Sequence, residues 1–350
     1  MKIGILTLPL HTNYGGIIQA YATQTVLEQL GHEAEQLVTK FRKLPWFENQ
    51  SEEEIGLICS KTDRFIDKYI HGDSWDIPKD NAKGYEAIVV GSDQVWSPFF
   101  SNIMLGGIRN SFLDFAKDWD IRRVAYSASF GQDSWNATEE ETADCRKLAA
   151  RFNAVGVREE SGVTLCRDHF GVAAKHVLDP TMLLRREDYN ALIEAAGTQP
   201  VPSGTLMNYV LDKTEEKKEL VAAIESTYGL RTIATNSRVE DASAPIEERI
   251  QPALEQWLRS FRDAEMVVTD SFHATVFSII FGKRFIITGN PFRGMARITS
   301  LLGMLGLEDH FVMNASQLDS RSDYSIPESS FERLEALRED SLSFLKKALE

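Results

Sequence analysis

Short apolar runs that end in small polar residues recur along the chain, and between them lie stretches with apolar positions at helical spacing. The first run, Met1–Leu8, is followed by the loop Pro9–Gly16, a helix over Ile17–Leu30 stopped by Gly31, and a second strand at Glu33–Val38. Strand, loop, helix and strand in that order open a Rossmann-like sheet. Residues 41–84 are rich in charge and aromatics and read as helical and peripheral. Buried strands are predicted at Tyr85–Val90, Val124–Phe130, Phe152–Val157 and His176–Asp179, and a helix at Leu183–Gln199. Gly197–Gly204, which holds Pro200 and Pro202, is the strongest linker signal in the chain. A second alternating series follows it. Strands are predicted at Thr205–Leu211, Leu230–Thr235, Met266–Val268 and Arg284–Thr288, and helices at Glu215–Tyr228, Glu248–Phe261 and His273–Gly282. An amphipathic helix over Glu328–Leu349 closes the chain, with Phe331, Leu334, Leu337, Leu342 and Leu345 at helical spacing. The pattern predicts an α/β fold of two Rossmann-like, doubly wound domains facing a cleft. They span residues 1–182 and 183–325, and residues 326–350 form a helix that packs back on the first domain.

Composition narrows the function more than the fold. A chain of 350 residues fits two domains at roughly 150 residues each. Its 43% hydrophobic and 26% charged residues are those of a globular protein with sizeable cores. The formal net charge of −14 argues against nucleic acid or an anionic membrane as partner, because phosphate backbones are held by basic surface. It leaves room for a small anionic substrate held by a local group of arginines. The three cysteines, Cys59, Cys145 and Cys166, are scattered and outside metal-ligand spacing, and read as reduced thiols. The opening MKIGILTLPL is too short an apolar run for a signal peptide, and no segment approaches the ~20 apolar residues of a membrane span. The expected location is the cytoplasm.

Four places carry candidate chemistry. Most informative is Ala264–Gly282, where a buried strand ends at Thr269-Asp270-Ser271 and a buried helix begins at His273. In open α/β sheets ligands sit beyond the carboxyl ends of strands, where helix N-termini point. Asp270, Ser271 and His273 stand there; alternatively Asp270 or Ser271 caps the helix and His273 packs against it. The loop containing Asn13, Tyr14, Gly15 and Gly16 lets backbone N–H groups approach an anion, or is simply a tight turn; it is neither a dinucleotide fingerprint nor a phosphate loop. Ser92, Asp93 and Gln94 follow a strand, with Trp96 close by, which suits a sugar acceptor. Asp93 is then a base, an orienting group or a cap. The basic residues Arg284, Arg293 and Arg297 follow His273; Arg293 and Arg297 open a predicted helix, Ala296–Leu302, where an arginine opposes the macrodipole unless an anion is shared. That makes a carboxylate or phosphate clamp, or a solvated basic edge. Arg158 is a further strand-end arginine of the same kind. No metal-ligand spacing is present, and Ser271 lies outside any GxSxG elbow.

Taken in order, NYGGIIQAYATQTVLEQLG, GSDQVW, GVREESG, LDPTMLL, TDSFHATVFSIIFGKRFI and RGMARITSLLGMLGL resemble the polysaccharide pyruvyl transferase family over Met1 to about Phe311. The resemblance implies a GT-B-like pair of domains and a metal-independent transferase without a cofactor. It implies phosphoenolpyruvate as co-substrate and a pyruvate ketal on a sugar of a surface or capsular polysaccharide or its precursor. A lipid-linked acceptor would bring the protein to the inner membrane surface without a span. The family's histidine falls on His273 and its acid on Asp93. Where the family often carries Arg-Leu-His, this chain has Ser271-Phe272-His273, so the donor-binding arginine is missing there. Arg293, Arg297 or Arg158 replaces it, or the donor differs. On this reading His273 is the general acid, kept protonated by Asp270, and Asp93 orients or deprotonates the acceptor. The rival readings are a GT-B glycosyltransferase using a nucleotide sugar and a non-catalytic scaffold of polysaccharide assembly.

Overall fold

The computed structural model describes residues 1–74, 76–290 and 294–350. The chain divides into two compact units, Met1–Ser51 with Asp63–Leu183 and Ala336–Glu350, and Glu52–Thr62 with Leu184–Glu335. In the first, β1 (Lys2–Leu6), β2 (Glu33–Gln36), β3 (Ala87–Val90), β4 (Arg122–Ala128), β5 (Ala154–Val157) and β6 (Lys175–His176) form one parallel sheet. Their order is β2-β1-β3-β4-β5-β6. The helices are α1 (Tyr14–Gln29), α2 (Glu52–Tyr69, from Asp63 onward), α3 (Pro98–Met104), α4 (Ile108–Ser111), α5 (Glu139–Ala149) and α6 (Glu160–Leu165). Every residue of β3 is buried, as a parallel strand covered on both faces requires. α1 begins three residues before the predicted start. The Asn13 side chain caps it by accepting from Gly15 N at 3.1 Å, which puts Gly15 and Gly16 in the first helical turn instead of a loop.

In the second unit, β7 (Thr205–Tyr209), β8 (Arg231–Ala234), β9 (Met266–Thr269) and β10 (Arg284–Ile287) form a parallel sheet ordered β10-β9-β7-β8. Its helices are α7 (Arg186–Ala195), α8 (Glu215–Tyr228), α9 (Ile246–Arg249), α10 (Leu254–Asp263), α11 (Phe272–Ile280) and α12 (Ala296–Leu305). The predicted helix Glu248–Phe261 is two helices, because Pro252 lacks the N–H and restrains Gln251 before it. The expected linker 197–204 lies inside this unit. Gln199 N donates to Gln256 Oε1 at 2.9 Å, and Arg259 Nη1 donates to Thr198 O at 2.8 Å. All nine residues of α11 are buried, which is why its sequence shows no polar face.

The closing helix, α13 (Glu328–Leu349), matches its prediction, and its residues from Ala336 onward group with the first unit. Ser341 Oγ accepts from Leu178 N at 3.1 Å, and Arg338 Nε donates to Met182 O at 2.8 Å. Among the described residues no helix is long and apolar enough to cross a membrane.

Strand order decides where a ligand fits. A crevice opens at the carboxyl edge where successive connections leave a strand in opposite directions. In the first sheet that point lies between β1 and β3, and in the second between β7 and β9.

Candidate functional site

In the first unit, α1 follows β1 and Gly91–Gln94 follows β3, so both motifs stand at the switch point. Gln19 ties them together. Its Nε2 donates to Thr7 Oγ1 at 3.0 Å and to Gly16 O at 2.8 Å, while its Oε1 accepts from Ser92 N at 3.1 Å. Gly91 runs against β4: a Cβ there would lie 2.1 Å from Tyr126 O, and its φ is +122°. Asp93 has a φ of +65°, a left-handed conformation that non-glycine residues seldom adopt. Such backbone gathers at functional sites because the surrounding structure must hold it.

Asp93 is buried beside Arg158, whose Nη2 donates to Asp93 Oδ1 at 3.3 Å and whose Nη1 donates to Asp179 Oδ2 at 2.9 Å. Ser92 Oγ donates to Asp179 Oδ2 at 2.9 Å, and Thr181 Oγ1 donates to Asp179 Oδ1 at 2.6 Å. Burial works against the guanidinium charge, but Asp179, Asp93 and Glu159 outweigh it and hold Arg158 above its ordinary value. His11, next to the same switch point, is pushed down to about 4 by burial and by Arg42, against the pull of Asp93, although the residue is only partly enclosed.

Several expectations for this side need correction. Arg158 is an internal ion-pair partner, its side chain 1% exposed, and does not present itself as an anion clamp. Trp96 is a core residue. It stacks on Phe112 at 4.8 Å and 6°, donates from Nε1 to Ser111 O, and has no exposed surface. Tyr14 and Ser92 are equally enclosed. Asn13 is exposed and caps α1, while Gln94 is partly exposed beside Asp93, to whose Oδ1 its N–H donates at 2.9 Å.

In the second unit β9 delivers Asp270 to the switch point. Asp270 Oδ1 accepts from Leu211 N at 2.7 Å; Oδ2 accepts from Lys217 Nζ at 2.8 Å, Asn290 Nδ2 at 3.0 Å and Asp212 N at 3.2 Å. Its oxygens thus go to the β7–α8 loop, to Lys217 and to Asn290, not to His273. The expected Asp270–His273 pair is replaced by Asp270–Lys217. Ser271 caps α11, its Oγ accepting from Ala274 N at 3.5 Å, and its own N–H donates to Thr269 Oγ1 at 3.0 Å. His273 lies in the first turn of α11, 7% exposed, with its ring 5.2 Å from that of Phe272. Arg297, in the first turn of α12, sets its guanidinium 5.9 Å from the centre of the same Phe272 ring and is also 7% exposed. The structure thus brings Arg297 to the His273 turn.

Arg284 does not join them. It begins β10 at the opposite sheet edge, where Nε donates to Asp323 O at 2.7 Å and the guanidinium lies 4.9 Å from the Tyr228 ring centre. Arg293 lies outside the described residues. Gln19, Asp179, Lys217 and Asn290 were not singled out by sequence. Asp179 sits in the quoted LDPTMLL run, but Lys217 looks like one more surface charge in EEKKEL. Among the described residues no group of three or more His, Cys, Asp or Glu side chains gathers to hold a metal ion.

The sequence model of the polysaccharide pyruvyl transferases matches residues 13–291. No curated protein matches the sequence. A Listeria monocytogenes protein assigned as a UDP-N-acetylglucosamine 2-epimerase is similar in structure at 11% identity, over 99% of this chain and 90% of that one, with a TM-score of 0.50. The UDP-GlcNAc 2-epimerase of Neisseria meningitidis, solved with UDP-GlcNAc, is 12% identical over 98% and 94% of the two chains, TM-score 0.48. The sucrose-phosphate synthase of Thermosynechococcus elongatus is 10% identical over 99% and 98%, TM-score 0.48. The likeness is one of fold, and it is the expected GT-B type built from two Rossmann-like units.

Proposed function

Because this chain belongs to the polysaccharide pyruvyl transferase family, we propose that it transfers pyruvate from phosphoenolpyruvate to a sugar of a surface or capsular polysaccharide or its precursor. The product is a cyclic pyruvate ketal. The methylene carbon of the donor gains a proton and a sugar hydroxyl bonds to the adjacent carbon, losing its own proton. The bond from that carbon to the phosphate oxygen then breaks, its electron pair leaving with phosphate. A second hydroxyl closes the ring and its proton departs with the phosphate, so donor and diol give ketal and inorganic phosphate.

The observation that carries this reading is the convergence of His273 and Arg297 on Phe272, each in the first turn of a helix at the carboxyl edge of the second sheet. Two helix N-termini and an arginine suit a donor that bears both carboxylate and phosphate. Asp270 is committed to Lys217, and His273, beside the anionic donor, delivers the proton to the methylene carbon. Asp93 of the first unit orients or deprotonates the acceptor. A positioned acid or base of this kind contributes roughly 10²–10⁴-fold.

The test is isothermal titration with phosphoenolpyruvate, UDP and GDP on wild type, Arg297→Ala and His273→Gln, with turnover followed as release of inorganic phosphate. The reading expects phosphoenolpyruvate to bind, Arg297→Ala to weaken binding at least tenfold, and His273→Gln to abolish turnover while phosphoenolpyruvate still binds. Binding of a nucleotide in preference to phosphoenolpyruvate would replace pyruvyl transfer by glycosyl transfer.

A further inference from the structure

Resting on the role just given to Asp93, we propose that Arg158 is a positioning residue: anchored on Asp179, it aims and holds the Asp93 carboxylate for its work on the acceptor hydroxyl. Three observations converge on it. First, the side chains of Arg158, Asp179 and Asp93 are 1%, 0% and 7% exposed, so the chain of contacts Asp179–Arg158–Asp93 runs inside the unit. An arginine that faced a soluble donor would present its guanidinium edge; here both terminal nitrogens are turned to carboxylates. Asp93, Asp179 and Glu159 all act on this one guanidinium, so its charge is compensated by carboxylates of the chain itself.

Second, the anchor is over-determined. Thr181 holds Asp179 Oδ1 through both its hydroxyl and its N–H, at 2.6 and 3.0 Å, and Ser92 Oγ bridges to Oδ2. Ser92 is the residue before Asp93, so the anchor and the aimed acid are tied through backbone as well as through Arg158. Third, the geometry leaves the two oxygens of Asp93 with different neighbours. Oδ1 takes Arg158 Nη2 and Gln94 N. Oδ2 faces the first turn of α1, 3.5 Å from where a Cβ on Gly16 would lie.

Among the described charged groups near Asp93, Arg158 is in direct contact with its carboxylate, Asp179 and Glu159 lie around the same guanidinium, and His11 approaches from the loop after β1, with Arg42 in electrostatic range of His11.

The experiment uses the full-length protein with aspartate labelled at ¹³Cγ, the Asp93 signal being identified by its loss in Asp93→Asn. Arg158→Gln is expected to move the Asp93 titration midpoint up by at least one pH unit. It should lower kcat at least 30-fold with donor KM within twofold of wild type, and raise the acid limb of kcat in step with the midpoint. Arg158→Lys, which keeps the charge and serves if the Gln variant does not fold, should restore the midpoint and part of kcat. Asp179→Asn should give a weaker version of the Arg158→Gln result. An unmoved Asp93 midpoint in Arg158→Gln overturns the proposal, and a tenfold rise in donor KM alongside it makes Arg158 a donor ligand. A wild-type protein that turns over no phosphoenolpyruvate overturns the proposed function instead, while the titration still decides the link between Arg158 and Asp93.

Discussion

Asp270→Asn tests the view that the acid at the end of β9 is the structural hub of the second switch point. Asp270 is 2% exposed and accepts four hydrogen bonds, two from the amides of Leu211 and Asp212 and two from Lys217 and Asn290. The asparagine retains one oxygen and turns an NH₂ toward donors. It also strips the countercharge from Lys217, whose side chain is only 10% exposed. Removing one partner of a buried pair costs about 3–5 kcal/mol, because the other charge is left without compensation. A chain of two units does not unfold in one step, so the loss is best read locally. Hydrogen exchange at Leu211 and Asp212 should accelerate by roughly 10²–10³-fold, the equivalent of about 3–4 kcal/mol of opening free energy. Lys217→Met alone should cost less, and the double variant should recover at least about 1.5 kcal/mol relative to the sum of the singles. Exchange unchanged in Asp270→Asn, or additivity within about 0.5 kcal/mol, would refute the hub and return Asp270 to the role of partner for His273.

His11 gives a signed pH dependence. Its folded value of about 4 lies below the unfolded value of 6.5, so the unfolded chain binds more protons between them and stability falls as pH drops through that window. The loss approaches roughly 3 kcal/mol by pH 4, taking 1.36 kcal/mol per unit. His32, His176 and His310 are also lowered, each chiefly by burial, so the difference between wild type and His11→Gln is the useful quantity; parallel urea-stability curves from pH 6.5 to 4 would remove His11 from the account. Gly91→Ala should prevent folding or cost more than about 4 kcal/mol, since its Cβ would meet the Tyr126 carbonyl at 2.1 Å, and soluble protein with a wild-type melting curve would contradict that. Gly16→Ala meets nothing nearer than Asp93 Oδ2 at 3.5 Å and should leave the melting temperature within a few degrees of wild type.

The fold was legible because the central parallel strands carry apolar runs and the helices are punctuated. β3 reads AIVV and β9 reads MVVT, and both are completely buried. Gly31 and Gly229 mark the ends of α1 and α8 with positive φ, as terminal glycines do. The misreadings have equally local causes. Pro252 divides a run that looked like one helix, and Asn13 starts α1 early by supplying the cap. The loop 197–204 has the composition of a linker, yet Gln256 and Arg259 pin it to α10. Composition reports what a loop can do, not which distant side chains will hold it.

The candidate site was legible in position but not in partnership. Strand-end motifs named Asp93, Asp270 and His273, because a strand emptying into polar residues is visible in one dimension. Which charges neutralise one another is not, since ion pairs join residues whose separation in sequence carries no signal. Arg158 meets Asp93 across 65 positions and Lys217 meets Asp270 across 53. The consequence is systematic: an arginine at a strand end reads as available for a ligand, and a lysine in EEKKEL reads as solvent-exposed. Burial reverses both. A charged side chain enters the interior only with its partner: Arg158 is buried with Asp93 and Asp179, and Lys217 with Asp270. For the missing arginine at Ser271 this leaves Arg297 as the described cation at the His273 turn, with Arg293 outside the described residues. Arg297→Ala is therefore the first substitution to set beside the comparison of phosphoenolpyruvate with UDP and GDP, since loss of binding would place the anion at this turn and the comparison would say which anion it is.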